Sequence, residues 1–313
     1  MMLARVADSL YWMGRYIERA EHVSRLSAVM LNATLERTAG AAQLGRIGLA
    51  ALGERDAGRT DETYQAAHNL ALDRDVDGSV LVSLARAREN ARQVRDQIST
   101  ETWERLNLLY LRVTSARAEP AFDDDPPGFL NEIIADLHHF KGAADTTLSH
   151  GEGWRFLLLG VHLERAHLIA RLLEVCFSDG RTSAVTDPIA LMGVLRMACA
   201  LEPYLRVYTA DIDPRFILRF LMFNEEFPRS VRFCTVRMEE FLTQLTREAG
   251  AARSLALRLA GRLDARLKYA DVSEIEANGA STLLAAVAAE CAAIHEATYE
   301  TFVTYPLELS LPA

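Results

Sequence analysis

Two acid–arginine pairs are the residues of this sequence best suited to do chemistry. Residues 13–26 (MGRYIERAEHVSRL) and residues 159–172 (LGVHLERAHLIARL) share a Gly, a Glu-Arg-Ala run, an Arg and a Leu, 146 positions apart. A guanidinium holds a carboxylate or a phosphate through paired hydrogen bonds, and a carboxylate can orient an amine or accept a proton. The pattern therefore points to a site for an anionic or amide group.

The neighbours of the second pair are apolar, which predicts that its charges are at least partly buried. On a helix, the face that carries Glu164 and Arg171 otherwise carries Leu and Val, and Arg165 has similar neighbours. A buried lone charge is costly, so these side chains need partners. We expect the two helices to pack together, with each acid paired to arginines of its own and of the opposite helix. The predicted central polar cluster is Glu18, Arg19, Arg25, Glu164, Arg165 and Arg171, with Arg15 and Glu21 close by.

Two interpretations of this cluster stay open at this point. One is an ion-pair clamp that fixes the register of a helical core, which is the more common use of buried charge networks. The other is a polar pocket that binds an anionic or amide substrate.

Composition indicates a soluble globular protein of ordinary type. Of the 313 residues, 50% are hydrophobic and 25% charged. The net charge of −9 and the pI near 5.5 argue against a nucleic-acid binder, which needs a basic face. Arg5 and Asp8 interrupt the start of the chain before a signal peptide could form, and no run of 18 apolar residues predicts a membrane span. The four cysteines are far apart, as expected for free thiols in a reducing cytoplasm.

Helical periodicity dominates the chain, and no strand pattern of useful length interrupts it. This predicts an all-α helical bundle of about ten helices. Residues 38–60 are predicted to be less regular, with an exposed loop at 53–58, and residues 119–128 form a predicted linker. The predicted helices cover residues 4–37, 61–71, 77–98, 101–115, 129–149, 153–177, 187–209, a shorter stretch from 213, a helix opened by the run 223–233 and ending at about 248, and residues 251–268 and 279–304.

The similarity between the halves extends beyond the Glu-Arg helices. Ser79-Val80 matches Ser230-Val231 at an offset of 151, and Arg86 and Glu89 match Arg237 and Glu240 at the same offset. We therefore predict two pseudo-repeated halves, at about 1–150 and 151–313, entwined around one core. Residues 1–313 then form a single domain.

A second set of residues could bind anions. Arg88, Arg92 and Arg95 share one helix face, which is either a solvated surface with weak ion pairs or an anion-binding wall beside the Glu-Arg helices. Asn224 precedes a helix start, where a turn or a bound anion could account for it.

Metal and nucleophilic chemistry have weak support. Glu164 and His167 have the Glu-x-x-His spacing of di-iron bundles, but the first copy has Glu21 instead of the histidine, and the adjacent arginines oppose a cation. Ser79 and Ser230 sit at helix starts, where capping explains them. We predict no metal site and no cofactor.

The two Glu-Arg-Ala helices, the run at residues 88–96 (RENARQVRD) and the run at 227–233 (FPRSVRF) resemble the alpha-E family. These are bacterial all-helical proteins named for their Glu-Arg motif, and the resemblance covers the chain from Leu3 to about Tyr305. It implies partners, because relatives are encoded beside, or fused to, a circularly permuted ATP-grasp protein, together with a transglutaminase-like protein and sometimes a proteasome-like hydrolase. The resemblance therefore implies a role in ATP-dependent amide-bond formation or peptide modification.

Three functional hypotheses follow. The leading one is a helical accessory or substrate-binding subunit of an ATP-grasp-linked system. The second is an enzyme that performs acyl or aminoacyl transfer in the Glu/Arg pocket, and the third is a structural scaffold. Homo-oligomerisation stays open.

Overall fold

The computed structural model of this protein is helical, in agreement with the all-α prediction. It describes residues 2–35, 38–53, 60–177, 185–209, 211–249, 254–271, 275 and 280–304, and no strand occurs among them. Of the loop predicted at residues 53–58, only Gly53 lies within the described residues, as an exposed turn residue with φ of 91°.

The described residues contain fourteen helices. They are α1 Ala4–Thr34, α2 Ala39–Ala51, α3 Thr60–Leu72, α4 Val80–Gln93, α5 Thr100–Val113, α6 Ala118–Asp124, α7 Pro126–Thr147, α8 Glu152–Phe177, α9 Pro188–Met197, α10 Leu201–Tyr208, α11 Pro214–Phe223, α12 Val231–Glu248, α13 Leu255–Lys268 and α14 Ser281–Phe302.

The prediction of about ten helices was too low, for three reasons. The predicted helix at 187–209 breaks into α9 and α10 at a bend of 119°, where Cys199 takes a left-handed backbone with φ of 54°. The glycine-rich stretch predicted to be less regular forms α2, because its glycines let neighbouring side chains approach. The predicted linker contains α6, and Asp125 then caps α7 by accepting a hydrogen bond from the Gly128 backbone N–H at 3.0 Å.

Helices α1 and α8 cross with their backbones in direct contact. A Cβ atom built on Gly14 would lie 2.0 Å from the carbonyl oxygen of Leu157, and one built on Gly160 would lie 2.1 Å from that of Tyr11. Only glycine fits at such a crossing, which explains why each copy of the motif tolerates a residue that weakens an isolated helix. Glu18 and Glu164 each lie one helical turn beyond the crossing.

Two turns elsewhere in the chain have the same hydrogen bonds. Asp73 accepts from the backbone N–H two residues later at 2.8 Å, and Ser79 donates to the Asp73 carbonyl at 2.8 Å and caps α4. Asn224 accepts from the N–H two residues later at 2.9 Å, and Ser230 donates to the Asn224 carbonyl and caps α12. The two turns lie 151 positions apart and both lead into a helix that packs near the crossing.

Buried apolar side chains form a cluster that draws on both predicted halves, including Ile17, Leu84, Leu163 and Ile294. Among the described residues, none of the helices taken alone has the length and apolarity to cross a membrane. The consecutive helices α9 and α10 meet those criteria only as a pair, across their bend.

Candidate functional site

The crossing of α1 and α8 places the two motif glutamates in two separate groups of charges. Glu18 and Glu164 are each only 1% exposed. Arg165 of α8 donates to Glu18 from Nε at 2.7 Å and from a terminal nitrogen at 2.8 Å. Arg19 of α1 donates from Nε to Glu164 at 2.7 Å. Each glutamate therefore binds the arginine that follows the glutamate of the opposite helix, and the single predicted cluster is in fact divided in two.

The first group, here the Glu18 cluster, is closed by charges from four further side chains. It comprises Glu18, Glu21, Arg25, Lys141, Arg165 and Arg229. Lys141 of α7 lies 2.5 Å from a carboxylate oxygen of Glu18 and 2.5 Å from one of Glu21. Arg229, from the turn before α12, bridges the same two acids.

Glu21 is the second buried acid of the Glu18 cluster. It also accepts from Arg25 at 2.7 Å and contacts the exposed His138 at 3.2 Å. This is the one place where the expected pairing between an acid and an arginine of its own helix occurs at the two motif segments. Both acids are thus fully surrounded by cations.

The electrostatics of the Glu18 cluster keep both acids ionised. Burial opposes ionisation of Glu18, but Arg165, Lys141 and Arg229 outweigh it and hold the pKa of its carboxyl well below the ordinary value. Burial likewise opposes ionisation of Glu21, and Lys141 and Arg229 again lower the pKa of that carboxyl. A carboxylate in such a setting binds cations firmly and is a poor proton acceptor at neutral pH.

Lys141 and Arg229 were missed as cluster residues from the sequence. Arg229 lies in the FPRSVRF run that carries part of the family resemblance, but its partners are more than 200 positions away. Lys141 is one of only two lysines in an arginine-rich chain, a signal that could have drawn notice. Nothing local connects either residue to α1.

The second group, here the Glu164 site, borders a cavity of about 380 Å³. It comprises Arg15, Arg19, Glu164, His167 and Arg171. Arg15 and Arg19 each donate from Nε to one oxygen of Glu164, both at 2.7 Å. The end of α2 and the Val76–Gly78 turn complete the lining.

Aromatic rings position the two arginines of the Glu164 site. The Arg15 guanidinium lies 4.8 Å from the centre of the Trp12 ring, and that of Arg19 lies 5.7 Å from the centre of the Tyr16 ring. Burial opposes ionisation of Glu164, and Arg15 and Arg19 outweigh it, so the pKa of that carboxyl is lowered. Burial also lowers the pKa of His167, which is therefore neutral at pH 7.

Arg171 does not join the ion pairs of Glu164, contrary to the prediction. Its side chain is 41% exposed and lies 3.4 Å from Glu174 one turn further along α8. It does line the cavity together with Glu164 and His167. Arg171 therefore belongs to the wall of the cavity and not to the ion pairs around Glu164.

The other predicted anion-binding residues lie away from both groups. Arg88 donates to Asn107 at 2.7 Å and lies 4.7 Å from the Tyr110 ring centre, and Arg92 pairs with Glu89 on the surface of α4. Arg95 lies 5.6 Å from the Trp103 ring centre. These contacts are with side chains of α4 and α5, and an anion-binding role for the three arginines stays a prediction.

Asn224 serves as a turn residue. Its side-chain oxygen accepts hydrogen bonds from the backbone N–H groups of Glu226 at 2.9 Å and Phe227 at 2.7 Å. These two bonds agree with the turn interpretation, and anion binding at Asn224 stays a prediction.

Three of the four cysteines have buried thiols. Burial raises the pKa of the Cys176, Cys234 and Cys291 thiols to about 12, so these are protonated and unreactive at neutral pH. Across the described ranges, no three His, Cys, Asp or Glu side chains are grouped so that they could hold a metal ion.

Comparison with known proteins bears on the whole chain. Residues 2–303 match Alpha-E, described as a predicted alpha-helical domain with a conserved ER motif. Uncharacterized proteins of Mycobacterium bovis and of Mycobacterium tuberculosis are 26% identical to it, over 98% of this chain and 37% of their own length. The chain thus spans little more than a third of these relatives, and no solved structure matches it. Since the family match covers nearly every residue and includes both Glu-Arg helices, the chain belongs to the Alpha-E family.

Proposed function

We propose that this chain is a helical substrate-binding subunit of an ATP-grasp-linked system that forms amide bonds or modifies peptides. The observation that carries the binding role is the cavity of about 380 Å³ at the Glu164 site. Small-molecule sites typically have volumes of about 300–1,000 Å³ and a few well-placed polar groups. Two arginines held by Glu164 and by aromatic rings give this cavity an ordered polar wall.

The geometry favours binding over catalysis by the chain itself. Both oxygens of Glu164 accept from arginines, and the pKa of its carboxyl is lowered. A general base works best with a pKa near the working pH and with a free oxygen toward its substrate. Glu164 has neither property, so acyl or aminoacyl transfer by this chain alone is the weaker alternative.

The scaffold interpretation applies to the other cluster. The Glu18 cluster surrounds two buried acids with Arg25, Lys141, Arg165 and Arg229, drawn from four parts of the chain. Such a network holds α1, α7, α8 and the turn before α12 together. Clamp and pocket are therefore properties of different copies of the motif and do not compete for one cluster.

We further propose that the chain is a single domain of two pseudo-repeated halves. The reciprocal glycine contacts, the reciprocal arginine–glutamate pairs and the matching turns at Asp73 and Asn224 support this. The offsets of 146 and 151 positions require only a small change in length between the halves.

The proposed partners are a circularly permuted ATP-grasp protein and a transglutaminase-like protein. Family membership supports this link, because the resemblance implies that such proteins accompany Alpha-E chains. The relatives in Mycobacterium are longer than this chain, which is consistent with further domains in the same polypeptide.

Co-purification tests the proposed function most directly. The chain and the neighbouring ATP-grasp protein are co-expressed, separated by size exclusion and incubated with ATP and amino acids, and new amide products are identified by mass spectrometry. We expect a complex, and more product with the chain than without it. Arg19→Ala should lower product formation while the complex persists, and Arg92→Ala, an exposed arginine of α4, is the matched control.

Two results would oppose the proposal. Absence of any complex together with unchanged product formation would remove the subunit role. Product formation by the chain without the ATP-grasp protein would establish the enzyme alternative instead.

A further inference from the structure

The two copies of the motif differ at the positions that decide whether the chain's own side chains fill the space beside the motif glutamate or leave a cavity there. At an offset of 146, Glu21 of α1 corresponds to His167 of α8, and Arg25 corresponds to Arg171. The first pair is a buried ion pair of 2.7 Å across one helical turn. The second pair has no acid, because a neutral histidine, His167, stands at the position of Glu21.

The turns beside the two glutamates also differ in whether a side chain fills the space. At an offset of 151, Arg229 of the turn before α12 corresponds to Gly78 of the turn before α4. Arg229 reaches into the Glu18 cluster and binds both acids. Gly78 has no side chain, and it lines the cavity of the Glu164 site.

The cavity therefore corresponds to the place that the Glu21 carboxylate and Arg229 fill in the other copy. Of the three cations that bind Glu21, namely Arg25, Lys141 and Arg229, the counterpart of Arg25 is present here as Arg171, and Arg19 lines the same cavity. Arg19 donates to Glu164 through Nε, which leaves its terminal nitrogens for a ligand, and its side chain is 23% exposed. Arg171 lines the same cavity, and one of its terminal nitrogens forms a hydrogen bond of 3.4 Å to Glu174.

From these correspondences we infer that the Glu164 site binds a small organic carboxylate of amino-acid size, whose carboxylate takes the position that Glu21 occupies in the Glu18 cluster. Arg171 and Arg19 hold that carboxylate. This inference deepens the proposed function, on which it rests, by naming the chemical class of the substrate.

The charges of the lining favour a carboxylate over a phosphate. Glu164 already neutralises part of the charge of Arg15 and Arg19, and Asp77 adds a further acid at the rim. The field that remains suits a single negative charge. In the Glu18 cluster the fold itself demonstrates that this arrangement of helices accepts a carboxylate.

Ligand binding by the isolated chain tests the inference. The twenty amino acids, succinate, succinamide and inorganic phosphate are screened by thermal shift, and any hit is measured by isothermal titration calorimetry. We expect at least one carboxylate to raise the melting temperature at millimolar concentration, and its amide analogue to have no effect. Loss of a charge-assisted hydrogen bond should weaken Kd by about ten- to a hundredfold in Arg171→Ala, and Arg92→Ala should bind like the wild type.

His167→Glu is the sharper variant. It places an acid four residues before Arg171, as Glu21 stands before Arg25, and so supplies the carboxylate from within the chain. We expect His167→Glu to abolish binding and His167→Gln, which has similar size and no charge, to retain it. His167 is partly exposed, so both variants should fold, as circular dichroism would verify.

Three results would overturn the inference: no carboxylate in the panel stabilises the chain, phosphate alone does so, or a carboxylate still binds His167→Glu with unchanged Kd. All three are read on the chain alone. Loss of binding with an intact ATP-grasp complex would refute only this inference, and binding without a complex would refute only the subunit role.

Discussion

The close crossing of α1 and α8 gives a prediction that can be worked out from distances. In Gly160→Ala, the added methyl group would lie 2.1 Å from the Tyr11 carbonyl oxygen, and in Gly14→Ala it would lie 2.0 Å from that of Leu157. Real Cβ atoms essentially never come within 3.0 Å of another heavy atom. The obstacle is a backbone oxygen inside a helix, which cannot turn away without losing its own hydrogen bond. The helices must therefore move apart by about 1 Å.

Three terms set the size of the effect. Alanine favours a helix over glycine by about 1 kcal/mol. Overpacking of a backbone contact costs roughly 1–3 kcal/mol. Separation of the helices also stretches the 2.7 Å bonds of Arg19 to Glu164 and of Arg165 to Glu18, and hydrogen bonds to charged groups contribute about 1.5–3 kcal/mol each. We expect each variant to lose about 2–4 kcal/mol in free energy of unfolding, or about 4–8 °C in melting temperature for a chain of this size.

Urea and thermal unfolding, followed by circular dichroism at 222 nm, measure this loss. Gly142→Ala is the control, because Gly142 lies inside α7 with no atom within 4 Å of the added methyl group. The control should gain up to about 1 kcal/mol from helix propensity alone. The double variant Gly14→Ala/Gly160→Ala should lose less than the sum of the two, because one separation relieves both contacts. Should Gly160→Ala match Gly142→Ala in stability, the backbone contact described here does not exist.

Two further predictions concern the buried charges. Glu18→Ala leaves Arg165 without its acid, and Lys141 and Arg229 with Glu21 alone; it should lower the free energy of unfolding by about 3–5 kcal/mol. Glu89→Ala, at a half-exposed surface position, should change it far less in the same urea titration. Equal effects would contradict the burial of the cluster. Burial lowers the pKa of His22 from 6.5 to about 4, so between these pH values the unfolded chain binds a proton there that the folded chain does not. The free energy of unfolding should therefore fall by up to roughly 3 kcal/mol as the pH drops from 6.5 to about 4. Urea titrations at several pH values should show a smaller fall for His22→Gln than for the wild type. An equal fall in the two proteins would refute the lowered pKa of His22.

The helices themselves were largely predictable, and the exceptions have identifiable causes. Apolar periodicity located α1 and α8 to within a few residues at each end. It missed the break between α9 and α10, where the non-glycine residue Cys199 adopts a left-handed backbone. Pro203, in the first turn of α10, was the local signal for this break. It underestimated α2, because glycines were interpreted as breakers although Gly48 lies against Met30 and Met197. In α2, tertiary contacts outweighed the low helix propensity of glycine.

The candidate site was predictable only in part. The internal repeat identified the glutamates and arginines that meet at the crossing, because burial of a charge demands a partner. The repeat does not show which arginine pairs with which acid. The Glu18 cluster and the Glu164 site were therefore predicted as one cluster, and Arg171 was wrongly predicted to pair within it. Lys141 and Arg229 reach α1 from distant parts of the chain, and a single sequence contains no signal of that proximity.

The side chains around each glutamate are the basis for assigning a structural role to the Glu18 cluster and, by proposal, a binding role to the Glu164 site. In the Glu18 cluster, four cations of the chain already bind the two buried acids, so a substitution there should first affect stability. The Glu164 site has the same helix crossing beneath it, but a neutral histidine and a glycine stand where the other copy has Glu21 and Arg229. Arg171→Ala removes only a half-exposed side chain, and should therefore weaken ligand binding while the free energy of unfolding changes by at most about 0.5 kcal/mol. Under the proposed function, the Glu164 copy binds the ligand while the Glu18 copy holds the helices together.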